Sequence, residues 1–338
     1  MNKLKFIWLV AALTLWAGTA FAQVLPPSGG FVSGGQGTPP NPPSRRFTPP
    51  PALPRTQVRE GYLPAYRFDS VNLAEVGRNF DRVIIFSVGP TAEGEIDLTG
   101  VGNLGIVKRL KDAGVKQVFL AVGGANRSSN MLSVCSQSPL RAAFVTNLVE
   151  LCNASNIDGV DLDWEEETPQ AKAAAKPYLN QLIVDLSSAL HGVGKKVSAA
   201  VSDREQLTSS AVVALDLLHL MLYEQRAQEG HSTFDYAERE VTEWSLRVSP
   251  VKISLGVPFF GKNLATGDAK TYADLVGMVK AAGSDINLDM VAGYSYNGPA
   301  TIARKLAFAK SRGLGAVFAW EIGQDAPGAD SLGKLFAK

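Results

Sequence analysis

The chain has 338 residues with 33 basic and 32 acidic side chains, a formal net charge of +1. That length allows one large domain or two small ones. With charge balanced and no basic cluster, nothing points to nucleic acid as a partner.

The amino terminus, Met1-Asn2-Lys3-Leu4-Lys5, carries two lysines and leads into an apolar run from Phe6 to Phe21. With Ala20-Phe21-Ala22 behind it, this reads as a secretory signal peptide, residues 1–22, cut after Ala22. An uncleaved anchor is the rival reading, because the run is almost long enough to span a bilayer. Cleavage predicts a secreted or periplasmic protein with no stable membrane insertion. Residues 23–57 are rich in proline, glycine and serine, including Pro39-Pro40-Asn41-Pro42-Pro43 and Pro49-Pro50-Pro51. Such a composition cannot bury a core and predicts a disordered tail or spacer.

From residue 58 to 338, short β-branched or apolar runs alternate with longer helical patterns, the mark of βα units and a parallel sheet. Strands are expected at Val58–Tyr66, Arg82–Val88, Gln117–Val122, Ile157–Glu165, Lys196–Val201, Leu217–Glu224, Lys252–Gly261 and Gly315–Glu321. Helices are expected near Leu73–Phe80, Pro139–Asn153, Tyr272–Ala282 and Ala300–Arg312. A further one carries Tyr178, Leu182, Leu186 and Leu190 at four-residue spacing. Eight strands with intervening helices fit a single (β/α)₈ barrel, for which about 250 residues is typical. A doubly wound open sheet is the alternative, weakened because no glycine-rich dinucleotide loop follows the first strand. Cys135 and Cys152 flank a helix opened by Ser138 as cap and Pro139 in its first turn. That helix would hold them roughly 20 Å apart unless the chain doubles back, which argues against a disulfide.

The fourth strand organises the rest. In Ile157-Asp158-Gly159-Val160-Asp161-Leu162-Asp163-Trp164-Glu165, side chains alternate between the two faces. Asp161, Asp163 and Glu165 therefore share one face while Val160, Leu162 and Trp164 share the other. An edge strand with a solvated acidic face would not carry those apolar companions. A calcium loop would place glycine after its aspartates and lie between helices. A carboxylate stack for acid/base chemistry remains, because three crowded carboxyls repel and are tolerated mainly where they line a site.

Asp158-Gly159-Val160-Asp161-Leu162-Asp163-Trp164-Glu165 resembles the DGxDxDxE signature of family 18 glycoside hydrolases, the chitinase family. The similarity extends from about Gly61 to Asp325. Gly61-Tyr62 resembles the family's first strand and Phe86 its second-strand aromatic. Met221-Leu222-Tyr223-Glu224 resembles the MxYD motif, and Gly256–Gly261 the seventh strand. Trp320 matches the tryptophan that floors the cleaved sugar's subsite. The resemblance implies a retaining hydrolase of β-1,4-linked N-acetylglucosamine chains in which the substrate's acetamido group is the nucleophile. Glu165 would be the acid, Asp163 and Asp161 its proton-sharing partners, and Tyr223 a hydrogen-bond donor to the acetamido oxygen. Trp320, Glu224, Met221, Phe86, Tyr62 and Gly124 would bind substrate, Tyr62 and Phe86 standing evenly between packing and sugar stacking. His219 is read as a core histidine, and Phe259 and Phe260 as packing. No metal or organic cofactor is implied. The partner is an N-acetylglucosamine-containing oligo- or polysaccharide, and a monomer is expected.

Two departures stand out. Ala121-Val122-Gly123-Gly124 lacks the serine of the family's SxGG, a donor that would support Asp161. Glu224 replaces the aspartate of MxYD. Residues 262–292 leave no room for the small inserted domain of deep-cleft members, so a short form with a shallow cleft is expected. Two rival functions share these residues: an endo-β-N-acetylglucosaminidase acting on glycoprotein or cell-wall glycans, and a non-catalytic, lectin-like barrel.

Overall fold

The structure, a computed structural model, describes residues 57–225 and 230–337. The expected signal peptide and all of the proline-rich segment but Gln57 lie outside them. Among the described residues no helix is long and apolar enough to cross a membrane.

Eight parallel strands close into a barrel. They are β1 (Val58–Pro64), β2 (Arg82–Pro90), β4 (Gln117–Gly123), β5 (Gly159–Asp163), β6 (Lys196–Val201), β7 (Leu217–Leu220), β8 (Ile253–Pro258) and β13 (Ala316–Trp320). Strand β3 (Ile96–Asp97) folds back antiparallel on β2. Each barrel strand pairs with its neighbour, and β1 closes the ring by pairing with both β13 and β2. The (β/α)₈ expectation holds.

Two buried layers follow from strand alternation. Outward-facing Val160, Leu162 and Trp164 join a continuous apolar layer with the helices, including Leu182, Leu186 and Leu190 of the helix Pro169–His191. Thr168 caps that helix by accepting a hydrogen bond from the Ala171 amide. Inside the ring, Tyr62, Ile84, Phe119, Ala121 and Phe318 form a smaller cluster. Gly159 and Gly256 make room for it: a Cβ on either would come within 2.5 Å of the Phe119 ring or 2.4 Å of the Phe318 ring.

Several expectations shift. Strand β5 ends at Asp163, so Glu165 stands on the loop beyond it, and β7 ends at Leu220, leaving Met221 to Glu224 on a loop. The helix Ser138–Ala154 starts one residue early, with Gln137 at its cap position and no side-chain cap bond, so Ser138 is not the cap. Cys135 and Cys152 are both buried and unbonded to each other. The stretch after β8 is not helix alone. Around the helix Tyr272–Ala281, strands β9 (Phe260–Asn263), β10 (Ala269–Thr271), β11 (Met290–Val291) and β12 (Tyr294–Ser295) form a four-stranded antiparallel sheet.

Candidate active site

The carboxyl ends of the barrel strands bring the expected residues together. Strand β5 aims Asp161 and Asp163 into the ring, where both are buried, while Glu165 is open to solvent above them. The glycine pair ending β4 makes this approach possible. Gly123 and Gly124 adopt φ of +106° and +88°, and the Gly124 amide donates to the Asp163 carbonyl at 2.5 Å. A Cβ on Gly123 would lie 2.2 Å from that carbonyl oxygen, and one on Gly124 2.3 Å from the Phe86 ring. Beside them Ser128 Oγ accepts from the Glu165 amide at 3.1 Å and donates to the Gly124 carbonyl at 3.0 Å. Sequence reasoning did not single out Ser128.

Asp161 is saturated with donors. Tyr62 Oη donates to one oxygen at 2.6 Å, while Ser198 Oγ at 2.6 Å and His219 Nδ1 at 2.7 Å meet the other. The register explains the serine, because Asp161 lies between Ala121 on β4 and Ser198 on β6. The hydroxyl missing at Ala121 is supplied from the opposite neighbour, so Asp161 does not lack support. Asp163 differs: its buried Oδ1 has no hydrogen-bond partner. Burial raises the Asp163 pKa well above the usual carboxyl range, with the charges of Glu165 and Asp161 adding to it. Glu165 is raised as well, by partial burial and then by the charge of Glu224. Two neighbouring carboxyls that favour their protonated forms are what a proton-donating site needs.

Aromatic side chains surround the stack. Phe86 and Trp320 meet edge to face at 4.8 Å, and both contact Tyr62. Tyr62 is only 2% exposed with its hydroxyl on Asp161, so of its two readings packing holds and it does not face the cleft. The Tyr223 ring packs against Phe260 and Phe318. Burial, then the nearby charge of Asp163, keeps its phenol protonated. Phe259 and Phe260 are buried. Glu224 has a left-handed backbone, φ +62°, and its carboxylate turns to Lys262 of β9 at 3.0 Å. Such a conformation costs a residue with a Cβ on the order of 1–3 kcal/mol and clusters at functional sites. Met221 lines a cavity of about 60 Å³ beside Asp163 and Glu165, together with Lys172 and Gln206.

His219 is buried as expected, but it is no bland core residue, because its second nitrogen lies 3.0 Å from Glu60 Oε2. Glu60, Arg82 and Ser254 complete a polar column below the stack that sequence reasoning did not find. Strand parity was the available signal: Glu60 is two residues before Tyr62, and His219 two before Met221.

Residues 59–325 match the family Glycosyl hydrolases family 18. Endochitinase 1 of Metarhizium robertsii is 25% identical over 269 residues, 64% of this chain and 63% of that protein. Nod factor hydrolase protein 1 of Medicago truncatula is 24% identical over 263 residues, covering 61% of this chain and 68% of that protein. Among solved structures, the GH18 chitinase ChiB from the chitin utilization locus of Flavobacterium johnsoniae superposes with a TM-score of 0.74 at 25% identity. That match covers 83% of this chain and 93% of that one. A chitinase from Bacteroides thetaiotaomicron gives 0.74 at 20% identity over 84% and 96% of the two chains and shares the fold.

Proposed function

The chain belongs to glycosyl hydrolases family 18, and from that premise we propose that it cleaves β-1,4-linked N-acetylglucosamine chains, chitin or chitooligosaccharides, with retention. The observation that carries this is Asp163, buried between Asp161 and Glu165 with an unpartnered oxygen and a carboxyl that favours its proton.

In the first step Glu165 gives its proton to the glycosidic oxygen, and the bond from that oxygen to C1 breaks. The acetamido oxygen of the same sugar attacks C1 and forms an oxazolinium cation, the substrate-assisted route. Asp163 supplies the stack's proton towards Glu165 as the acid is consumed. It then stands as an anion beside the cation, accepting from the acetamido N–H. Tyr223 donates its protonated hydroxyl to the acetamido oxygen and orients the attack. In the second step Glu165 returns that proton to Asp163 and takes one from water, the water oxygen bonds to C1, and the oxazolinium ring opens.

Trp164 and Trp244 are buried at 4% and 3% exposure, leaving Trp320 as the tryptophan at the cleft among the described residues. Without a track of exposed tryptophans, soluble or amorphous fragments are the expected substrates rather than crystalline polymer.

The test is hydrolysis of a fluorogenic chitotriose glycoside by wild type and Glu165→Gln. The variant is expected to lose about 10²–10⁴-fold in kcat, the usual contribution of a general acid, while still binding chitotriose in calorimetry. Wild type that binds the sugar without cleaving it overturns the reading in favour of a lectin-like barrel.

A further inference from the structure

The lumen of a (β/α)₈ barrel is ordinarily packed with branched apolar side chains. Here it holds a continuous polar column. At its base Arg82 donates to Glu60 Oε1, while Arg82 Nη2 also reaches Gln117 at 2.7 Å. Glu60 Oε2 accepts from Ser254 Oγ at 2.7 Å and lies 3.0 Å from His219 Nε2. The other face of the ring, Nδ1, lies 2.7 Å from Asp161 Oδ1. Glu60, Asp161, His219 and Ser254 are all at 0% exposure, and Arg82 is at 2%.

We propose that His219, held as an imidazolium between Glu60 and Asp161, is a positioning residue that fixes Asp161 as an acceptor and so leaves the stack's proton on Asp163, ready for Glu165. The proposal rests on the hydrolase reading above and adds to it a charged support beneath the stack.

The geometry sets the charge. A neutral imidazole has one N–H and one lone pair, so one of its nitrogens would press a lone pair against a carboxylate. A proton on either carboxyl would relieve that, but the oxygens are occupied. Those of Glu60 accept from Arg82 and Ser254, and those of Asp161 from Tyr62 and Ser198. Two N–H groups on His219 satisfy every contact. Charge balance agrees, since Arg82 and His219 as cations then offset Glu60 and Asp161 as anions, with Asp163 protonated above them. An unprotonated His219 would leave a buried anion uncompensated.

Among the described residues the one cation of the column that opposes this is Arg82, and it is bound to the other oxygen of Glu60. Around His219 stand Glu60 and Tyr62 from β1, Arg82 from β2, Asp161 and Asp163 from β5, and Tyr223 from the loop after β7. Strands β4, β6, β8 and β13 bring Phe119 and Ala121, Ser198 and Ala200, Ser254, and Phe318. Burial disfavours the imidazolium, but the fields of Glu60 and Asp161 outweigh it and push His219 up to about 10. Burial also works against the Glu60 anion, and His219 and Arg82 outweigh it in turn. A histidine of this kind keeps its charge across the pH range in which histidines usually titrate.

The test reads the ring directly. The chain has three histidines, so ¹⁵N spectra of the full-length protein, assigned with His191→Gln and His231→Gln, report the His219 nitrogens. Both are expected to carry protons at pH 8, and a neutral tautomer there overturns the proposal. In Glu60→Gln, which leaves the ring in place, the His219 midpoint is expected to fall by more than one pH unit, and an unmoved midpoint is a second refutation. The third readout is the kcat–pH profile of His219→Gln on the chitotriose glycoside. We expect roughly a 10- to 100-fold loss in kcat, KM within about threefold, and an alkaline limb moved to higher pH, because removing a cation makes the stack hold its protons more tightly. A lower rate with an unmoved limb means that His219 only packs, and refutes the positioning role. Failure of the hydrolase reading looks different: wild type is then inactive, while the ring spectra still decide the His219 charge.

Discussion

The same eight strands bury two unlike regions. On their outer side Val160, Leu162, Leu182, Leu186 and Leu190 form an apolar layer whose stabilisation scales with the area removed from water and has no preferred direction. On their inner side Glu60, Arg82, Asp161, Ser198, His219 and Ser254 are equally buried, yet held by directed hydrogen bonds and balanced charge. A methylene lost from the outer layer costs stability and leaves the chemistry intact. A hydrogen lost from the inner column leaves a buried charge without its partner, and the site above it feels the change. One strand therefore carries two kinds of information at alternate positions.

The contrast is broken most severely at Asp163. Asp163→Asn is expected to lower kcat on a chitotriose glycoside by about 10²–10⁴-fold while the fold survives. Its stability should gain with pH relative to wild type. Native Asp163 keeps its proton above the usual carboxyl range and the unfolded chain does not, so in wild type this group lowers stability as pH rises through that interval. Urea denaturation at several pH values checks the sign, and equal pH slopes for the two proteins would contradict it.

Leu186→Ala strikes the outer layer. We expect a loss of about 2–5 kcal/mol by urea denaturation and a kcat–pH profile that superposes on that of wild type. A displaced profile would mean that the two regions are coupled.

Lys305, on the outer side of the sheet, sharpens the comparison, because it is a buried cation facing neutral acceptors. Its ammonium donates to Ser232 and Asn297 at 2.8 Å, and burial pushes its pKa down to about 7 despite the nearby charge of Asp289. The native lysine sheds its proton near pH 7 while the unfolded chain keeps it to about 10.4, so this group raises stability across that interval. His219 works oppositely: the stability it contributes is fully present below about pH 6.5 and is lost as pH rises to about 10. Lys305→Met should therefore steepen the fall in stability between pH 7 and pH 10, and a shallower fall contradicts the assignment.

The smallest expected effect is at Ser198. Ser198→Ala removes one donor from Asp161 and should cost about tenfold in kcat, in line with roughly 1.5 kcal/mol for a hydrogen bond to a charged group. Ala121→Ser in that background should restore most of the rate, because the register puts residue 121 beside Asp161 from the other strand. No recovery would show that the two neighbours are not equivalent.

The barrel was legible because its strands run to four residues or more and are separated by helices with clear apolar faces. The antiparallel sheet after β8 was not, since β11 and β12 have two residues each and show no alternation. The same limit hid where β5 and β7 end: apolar character continues through Trp164 and Leu222, but pairing stops at Asp163 and Leu220. The structure has Asp163, Glu165, Tyr223 and Trp320 at or just beyond the carboxyl ends of their strands, with Asp161 fully buried.

By itself, the sequence determined the periodicity of the strands, the acidic stack on one face of β5 and the glycine pair that lets β4 approach it. These are local properties, set by side-chain alternation and by backbone angles open to glycine. The tertiary structure alone decided that Glu60 and His219, 159 positions apart, meet under Asp161, and that Ser198 supplies the hydroxyl absent at Ala121. Barrel closure and strand register set those meetings, and both depend on how all eight strands pair at once.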